Sequence, residues 1–278
     1  MIRFFYRMSP GKSTRTVSID RHEGATPAIR RDDAIAVEEP LEIRVGGKSV
    51  AVVMRTPGHD RELAAGFLVT EGIVRRREDV LDLVYCRTDG GKPEENILDA
   101  LLAPGADVDL EKLTRHVFTS SSCGICSKAT IDAVQAQFPP IPTPLQPRRS
   151  VLAALPEKLR AAQLAFDITG GLHASALFDL AGMLQVVRED VGRHNALDKV
   201  VGHAFFREQL PLADALLLVS GRVSFEIMQK ALAAGIPCVA AISAPTSAAV
   251  DFAQASGQVL VGFLRGERMN VYAGTLAG

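Results

Sequence analysis

Five prolines fall within nine residues at Pro139-Pro140-Ile141-Pro142-Thr143-Pro144-Leu145-Gln146-Pro147. Each lacks a backbone donor and has φ fixed near about −65°, so the run excludes regular helix and central strand and makes a stiff spacer. It divides a 278-residue chain with 47% apolar content, which is long enough to bury a sizeable core and more often makes two units than one. The expected organisation is a basic, disordered arm over 1–31, an α+β unit over 32–138, the linker over 139–147, and an α/β unit over 148–278. The fold class is therefore α/β, or α+β when both units are counted.

The formal net charge of −1 gives no electrostatic argument for nucleic acid, which calls for a strongly basic face. No uncharged apolar run reaches the length of a membrane span, and Met1-Ile2-Arg3-Phe4-Phe5-Tyr6-Arg7 lacks the features of a signal peptide. A cytoplasmic protein without a membrane partner is expected. Four cysteines, Cys86, Cys123, Cys126 and Cys238, are too few for a disulfide scaffold in a chain of this length. In a reducing compartment, a close pair points to catalysis or metal binding.

In the first unit, Leu41 to Val45 and Lys48 to Arg55 flank Gly46-Gly47, a two-residue hairpin signal. Thr56-Pro57-Gly58 turns the chain into a helix from Asp60 to Glu71, with Leu63, Phe67 and Leu68 on one stripe and Gly72 at its end. His59 beside Asp60 reads as a turn and cap, with His59 in reserve as a catalytic candidate. Val80 to Cys86 is a strand with Cys86 buried, Asp89 to Pro93 a loop, and Val117 to Thr119 a short strand. After the linker, helices from Pro156 to Phe166, Asn195 to Phe206, Ser224 to Ala234 and Ser247 to Ser256 alternate with apolar strands. The strands are His173 to Phe178, Met183 to Arg188, Ala215 to Ser220, Cys238 to Ser243 and Val259 to Leu264. This pattern predicts a largely parallel sheet covered on both faces, with Cys238 inert inside it.

The most reactive stretch is Thr119-Ser120-Ser121-Ser122-Cys123-Gly124-Ile125-Cys126-Ser127-Lys128. Ile131, Val134 and Phe138 recur at helical spacing behind it, which puts both thiols at a helix N-terminus, where unpaired amides and the macrodipole favour thiolate. The pair could act as a dithiol redox couple, as half of a zinc site, or as a nucleophile carrying sulfur as a persulfide; two merely packed cysteines are the bland alternative. A structural zinc needs four ligands, and no second close pair of Cys or His completes the set. A thioredoxin arrangement needs an early βαβ unit, whereas the α/β pattern follows the linker.

Three further stretches carry polar residues at strand ends and helix starts. Arg188-Glu189-Asp190-Val191-Gly192-Arg193-His194-Asn195-Ala196-Leu197-Asp198-Lys199 admits capping and salt bridging as readily as ligand contact. Ser220-Gly221-Arg222-Val223-Ser224-Phe225-Glu226 pairs a glycine turn with an arginine before a helix. Gly262-Phe263-Leu264-Arg265-Gly266-Glu267-Arg268-Met269-Asn270 ends the last strand with two arginines. Together they place Arg193, Arg222, Arg265 and Arg268 where one phosphate-bearing ligand could gather them.

These stretches, with Arg55-Thr56-Pro57-Gly58-His59-Asp60, Gly66-Phe67-Leu68, Thr169-Gly170-Gly171-Leu172-His173 and Ser243-Ala244-Pro245-Thr246-Ser247, occur in the order found in the FdhD family of formate dehydrogenase accessory sulfurtransferases. The chain resembles that family from about Leu41 to Tyr272. The resemblance implies a sulfur carrier that takes persulfide sulfur from a cysteine desulfurase and transfers it to the molybdenum cofactor, bis-molybdopterin guanine dinucleotide, for formate dehydrogenase. It implies that Cys123 bears the persulfide and Cys126 assists, and that Phe263, Leu264, Arg265, Gly266, Glu267 and Arg268 hold the cofactor. Arg193, His194 and Arg222 join them on the reading of the loops above. It also implies a three-layer α/β/α, cytidine-deaminase-like second domain, and admits a homodimer. Zinc deaminases carry His-x-Glu and Pro-Cys-x-x-Cys, where this chain has His194-Asn195-Ala196 and Ser220 to Ser224, so no zinc is expected. A cofactor chaperone without sulfur transfer and a dithiol oxidoreductase are the alternatives.

Overall fold

The computed structural model describes residues 13–87, 91, 93–106, 108, 134–135 and 137–278. The cysteine stretch, the strand expected at Val117 to Thr119 and most of the helix expected from Ser127 lie outside the described residues.

Among the described residues, a two-stranded ribbon, a four-stranded sheet, a six-stranded sheet and six α-helices make up the fold. β1 (Thr14–Arg21) and β2 (Ile29–Ala36) form an antiparallel ribbon, in register from Thr14 opposite Ala36 to Arg21 opposite Ile29. A disordered arm over 1–31 was the expectation. The ribbon's charged, weakly apolar strands are held by the backbone ladder, with a Ser18-to-Asp32 side-chain hydrogen bond of 2.8 Å, and their hydropathy pattern carries almost no trace of it.

β3 (Glu39–Val45) and β4 (Lys48–Arg55) form the expected hairpin. Gly46 and Gly47 both have positive φ, 56° and 82°, as a tight turn between twisted strands requires. β5 (Val80–Arg87) and β6 (Pro93–Leu102) complete a four-stranded sheet of order β4-β3-β6-β5, in which β6 runs parallel to β3 and antiparallel to β5. β6 replaces the loop expected up to Pro93; its sequence, PEENILDALL, buries only Leu98 and Ala100 and so lacks a clean period of two. Cys86, expected to be buried, is half-exposed.

α1 (Asp60–Thr70) buries Leu63, Ala64, Ala65, Leu68 and Val69, and ends where Gly72 takes φ 70° and the amides of Gly72 and Ile73 return to the carbonyls of Val69 and Leu68. Residues 139–147 have no helix or strand. α2 (Arg149–Ala162) then begins seven residues before Pro156, so the proline lies inside the helix and not in its first turn. Its start is tied to the far end of the chain, where Arg149 N donates to Ala277 O at 3.1 Å. A short α3 (Leu164–Thr169) follows at once.

The second sheet has the order β12-β11-β10-β9-β7-β8, made of β7 (His173–Asp179), β8 (Leu184–Asp190), β9 (Ala215–Val219), β10 (Cys238–Ala241), β11 (Val259–Arg265) and β12 (Arg268–Ala273). Its centre, β9-β10-β11, is parallel, while β7-β8, β7-β9 and β11-β12 are antiparallel. The sheet is thus mixed where a largely parallel one was expected, because apolar strands buried on both faces carry no record of their direction. α4 (Arg193–Phe206), α5 (Phe225–Ala233) and α6 (Ser247–Ser256) cover one face and α2 covers the other, which gives the three α/β/α layers. Side chains alternate accordingly: Leu217, Val219, Val239 and Leu260 point to the α4–α6 layer, and Leu216, Leu218, Cys238 and Val261 to α2. Burial pushes the Cys238 thiol up to about 12.

The core on the α4–α6 side is continuous with the core of the first sheet: Leu41, Leu63, Leu68, Leu83 and Leu98 belong to one cluster with Leu197, Val201, Phe205 and Leu217. α1 and α4 meet almost backbone to backbone. A Cβ on Gly66 would lie 1.8 Å from the Asp198 carbonyl oxygen, and one on Gly202 would lie 1.8 Å from that of Glu62. Only glycine fits at either point. Gly66→Ala and Gly202→Ala should each cost about 3 kcal/mol or more and lower Tm by roughly 6–12 °C in a thermal melt; unchanged Tm in both would contradict this packing.

Candidate functional site

Much of the polar chemistry seen in the sequence joins the two halves of the fold. From Arg55 to Asp60 the chain turns from β4 into α1, and Arg55, only 1% exposed, donates to Asp60 Oδ2 at 3.1 Å and Glu39 Oε2 at 3.2 Å. Thr56 N donates to Asp190 Oδ2 at 3.1 Å, Val191 N donates to Thr56 Oγ1 at 3.2 Å, and Lys199 Nζ reaches Thr56 O at 2.8 Å and Asp190 Oδ2 at 2.7 Å. Asn195 Nδ2 adds bonds to Met54 O at 2.7 Å and Asp190 Oδ1 at 2.9 Å. Deeper in the interface, Lys230 Nζ contacts Asp198 Oδ2 and Glu71 Oε1, each at 3.0 Å, and Thr70 Oγ1 at 2.9 Å. Burial disfavours the charge on Lys230, but Asp198 and Glu71 outweigh it and raise its pKa.

Glu62 on α1 is the hub of a third group. It accepts from Arg188 Nη2 at 2.7 Å and lies 3.0 Å from His203 Nδ1 and 3.3 Å from His59 Nδ1. His59 is therefore an interface residue: it stands at the N-cap position of α1 with φ 58° and makes no side-chain cap bond. The structure thus resolves the twelve-residue Arg188 to Lys199 stretch. Arg188, Glu189, Asp190, Asn195, Asp198 and Lys199 are bound within the protein, leaving Arg193 and His194 at the start of α4.

Those two residues sit at the carboxyl ends of β9, β10 and β11, where open α/β sheets bind ligands. His194 Nε2 lies 3.0 Å from Glu226 Oε2 and 3.3 Å from Ser224 Oγ, both near the start of α5. This contact lowers the Glu226 pKa, outweighing burial, which by itself would raise it. Among the described residues, Nε of half-buried Arg193 has no hydrogen-bond partner, and Arg222 is exposed. A Cβ on Gly221 would stand 3.1 Å from His173 Nδ1 and 3.7 Å from Arg193 Cβ, so the Ser220-Gly221-Arg222 turn brings these elements together. Burial first, then the Arg193 and His194 charges, lowers the His173 pKa and favours neutral imidazole.

On the α2 side of the same sheet edge, a cavity of about 800 Å³ is lined by Arg160, Gln163, Phe166, Leu172, His173, Ser220, Leu264, Arg265 and Gly266, among others. It includes three of the six residues in the Phe263 to Arg268 stretch. Phe263 is 43% exposed yet held at φ 52°, with its amide on Ser243 O at 3.0 Å. A bulky residue in the left-handed region is strained, and such strain concentrates at binding sites. Arg265 and Arg268 face one another across the turn between β11 and β12, while Glu267 lies 3.7 Å from Arg149. Leu264 is buried in the wall. Sequence reasoning left Arg160 and Gln163 as ordinary helix residues, and took His173 only as part of a strand and a family stretch. Their meeting depends on the α2–α3 break, which periodicity does not reveal. Among the described residues, no group of three or more His, Cys, Asp and Glu side chains could hold a metal ion.

The arginine-bearing cavity of this three-layer α/β protein lies at the sheet's carboxyl edge, the place where open α/β folds take their ligands. Residues 36–276 match the FdhD/NarQ family. The chain is 54% identical over 259 residues to the sulfur carrier protein FdhD of Mycobacterium tuberculosis, covering 91% of this chain and 94% of that one. It is 54% identical over 249 residues to the protein of the same name from Streptomyces coelicolor, covering 88% of each. A crystal structure described as that of a formate dehydrogenase accessory protein from Desulfotalea psychrophila has the same fold, with TM-score 0.70, 22% identity and coverage of 94% and 96%. The chain belongs to the FdhD/NarQ family.

The Glu62 cluster makes stability depend on acid. Burial alone would raise the Glu62 carboxyl, but hydrogen bonds from Arg188, His203 and His59 win and hold it well below its ordinary 4.5. The folded pKa is below the unfolded one, so the contribution is complete above about pH 4.5 and is lost as pH falls toward the folded value. Glu62→Gln should flatten the loss of Tm below pH 4.5 relative to wild type; parallel curves would contradict this linkage.

Proposed function

We propose that the protein is a cytoplasmic sulfur carrier, a sulfurtransferase serving formate dehydrogenase, with Cys123 as the persulfide-bearing residue and Cys126 as its assistant. The observation that carries this reading is the 54% identity to sulfur carrier proteins over nine-tenths of the chain. In loading, the Cys123 thiolate attacks the outer sulfur of a cysteine desulfurase persulfide. A new S–S bond forms at Cys123, the old one breaks, and the desulfurase cysteine leaves as thiolate. In release, the Cys126 thiolate attacks Cys123 Sγ, hydrosulfide departs with the bonding electrons, and a thiol reductant restores the dithiol from the resulting disulfide.

The recipient is the molybdenum cofactor, bis-molybdopterin guanine dinucleotide, handled as cargo and modified before it enters the dehydrogenase. The cavity residues fit such a group. Arg265 supplies a guanidinium fork for pyrophosphate, Arg160, paired with Asp167 and standing over the Phe166 ring, adds a second cation to the wall, and Leu172 and Leu264 supply apolar surface for flat rings. Arg193, His194, Arg222 and Arg268 add positive or polar groups along the same sheet edge. Phe263, Gly266 and Glu267 shape the turn that carries Arg265.

Incubation with a cysteine desulfurase, cysteine and radiolabelled sulfur tests the carrier role. Reductant-releasable label should appear on the wild type and fall to background in Cys123→Ser; label at the wild-type level in the variant would sink the assignment. For the cavity, Arg265→Ala should weaken guanosine diphosphate binding by roughly tenfold or more in calorimetry, as expected for loss of a charge-assisted hydrogen bond. Unchanged affinity would remove Arg265 from the site.

A further inference from the structure

Gln163 occupies the break between α2 and α3, serving as the last cap of one helix and the first of the other, with φ −83° and ψ 72°. Its backbone is committed: the amide donates to Arg160 O at 3.3 Å, and the carbonyl accepts from Asp167 N at 3.1 Å. Its carboxamide makes no cap bond. That task belongs to Glu189, which reaches over from β8 and accepts from Ala165 N at 2.9 Å and Phe166 N at 2.8 Å. Gln163 is 5% exposed, lines the cavity, and among the described residues its carboxamide has no hydrogen-bond partner. Its two polar atoms are not among the buried side-chain atoms left without a partner, so they open onto the cavity that the residue lines, where a ligand can meet them.

A carboxamide presents one acceptor beside one donor, and its complement is a ring edge with an N–H next to a carbonyl. Resting on the proposed function, whose cargo contains both guanine and pterin rings, we propose that Gln163 is the specificity-determining residue that reads the 2-amino-4-oxopyrimidine edge shared by those two heterocycles. Oε1 accepts from the ring N–H and Nε2 donates to the ring carbonyl. Leu172 and Phe166, over whose ring the Asp167-paired Arg160 guanidinium stands at 5.2 Å, line the same cavity as apolar surface for the flat ring, and Arg265 takes the phosphate end. His173, another cavity residue whose side chain has no hydrogen bond among the described residues, can complete the polar contacts as neutral imidazole.

The test uses the full chain with three probes in calorimetry: guanosine diphosphate, the phosphate-free pterin neopterin, and inorganic diphosphate. Gln163→Met keeps the length of the side chain and removes both polar atoms; Gln163→Glu retains acceptors for the ring N–H and the exocyclic amine. The expected result is that Gln163→Met weakens guanosine diphosphate, neopterin or both about tenfold and leaves diphosphate unchanged, while Gln163→Glu recovers part of the loss. The probe that responds identifies which end of the cargo lies against Gln163. If Gln163→Met, melting at the wild-type temperature, binds guanosine diphosphate and neopterin as tightly as wild type, or if wild type binds neither, the proposal is overturned. Sulfur loading of wild-type Cys123, measured separately, shows whether the carrier role survives that outcome.

Discussion

The close crossing of α1 and α4 is the constraint on which the rest depends. Gly66 faces the Asp198 carbonyl and Gly202 faces that of Glu62, so the two helices approach to a distance that no side chain permits. Such proximity would bury the polar groups at the crossing without water. The chain satisfies them internally, through Thr56, Asp190, Asn195 and Lys199 at one level, Thr70, Asp198 and Lys230 at a second, and Glu62, Arg188 and His203 at a third. Breaking such buried pairs leaves an uncompensated charge and is far more disruptive than losing a surface ion pair. The first sheet and the second are therefore fixed by one apolar core and one polar seam.

That seam divides the polar residues of the sheet edge between two tasks. On the α4 side, Asp190, Asn195, Asp198 and Lys199 are turned inward, while Arg193, His194 and Arg222, at the starts of α4 and α5, lie at the edge. On the α2 side, the break at Gln163 and the strained turn at Phe263 open a cavity walled by apolar side chains and bordered by arginines. His173, beside Gly221, lies where the two sides meet.

The second sheet's elements were legible because its strands are short apolar blocks between amphipathic helices. The Gly46-Gly47 hairpin and the Gly72 stop were legible because positive φ leaves a compositional mark. Direction of pairing was not, since apolar strands read the same either way, and the charged ribbon β1–β2 and the irregular strand β6 had no period to detect. The candidate site was legible in part. Arg265 and Gly266 stood out as a turn after a strand, and Arg193 and His194 as a helix start. Nothing in the sequence separated those two from Asp190, Asn195 and Lys199, because ligand contact and internal locking draw on the same residue types. Gln163 and Arg160 were invisible, as their role arises from a helix break and from Glu189 capping α3 at Ala165 and Phe166, 24 and 23 residues earlier in the chain.

The central claim is that Cys123 carries sulfur. Mass spectrometry of the full chain after incubation with a cysteine desulfurase and cysteine, without reductant, tests it most directly. The account predicts a peptide containing Cys123 that is heavier by one sulfur atom and returns to its original mass on reduction. An unmodified Cys123 peptide, with the added sulfur absent or found only on Cys86 or Cys238, would contradict it.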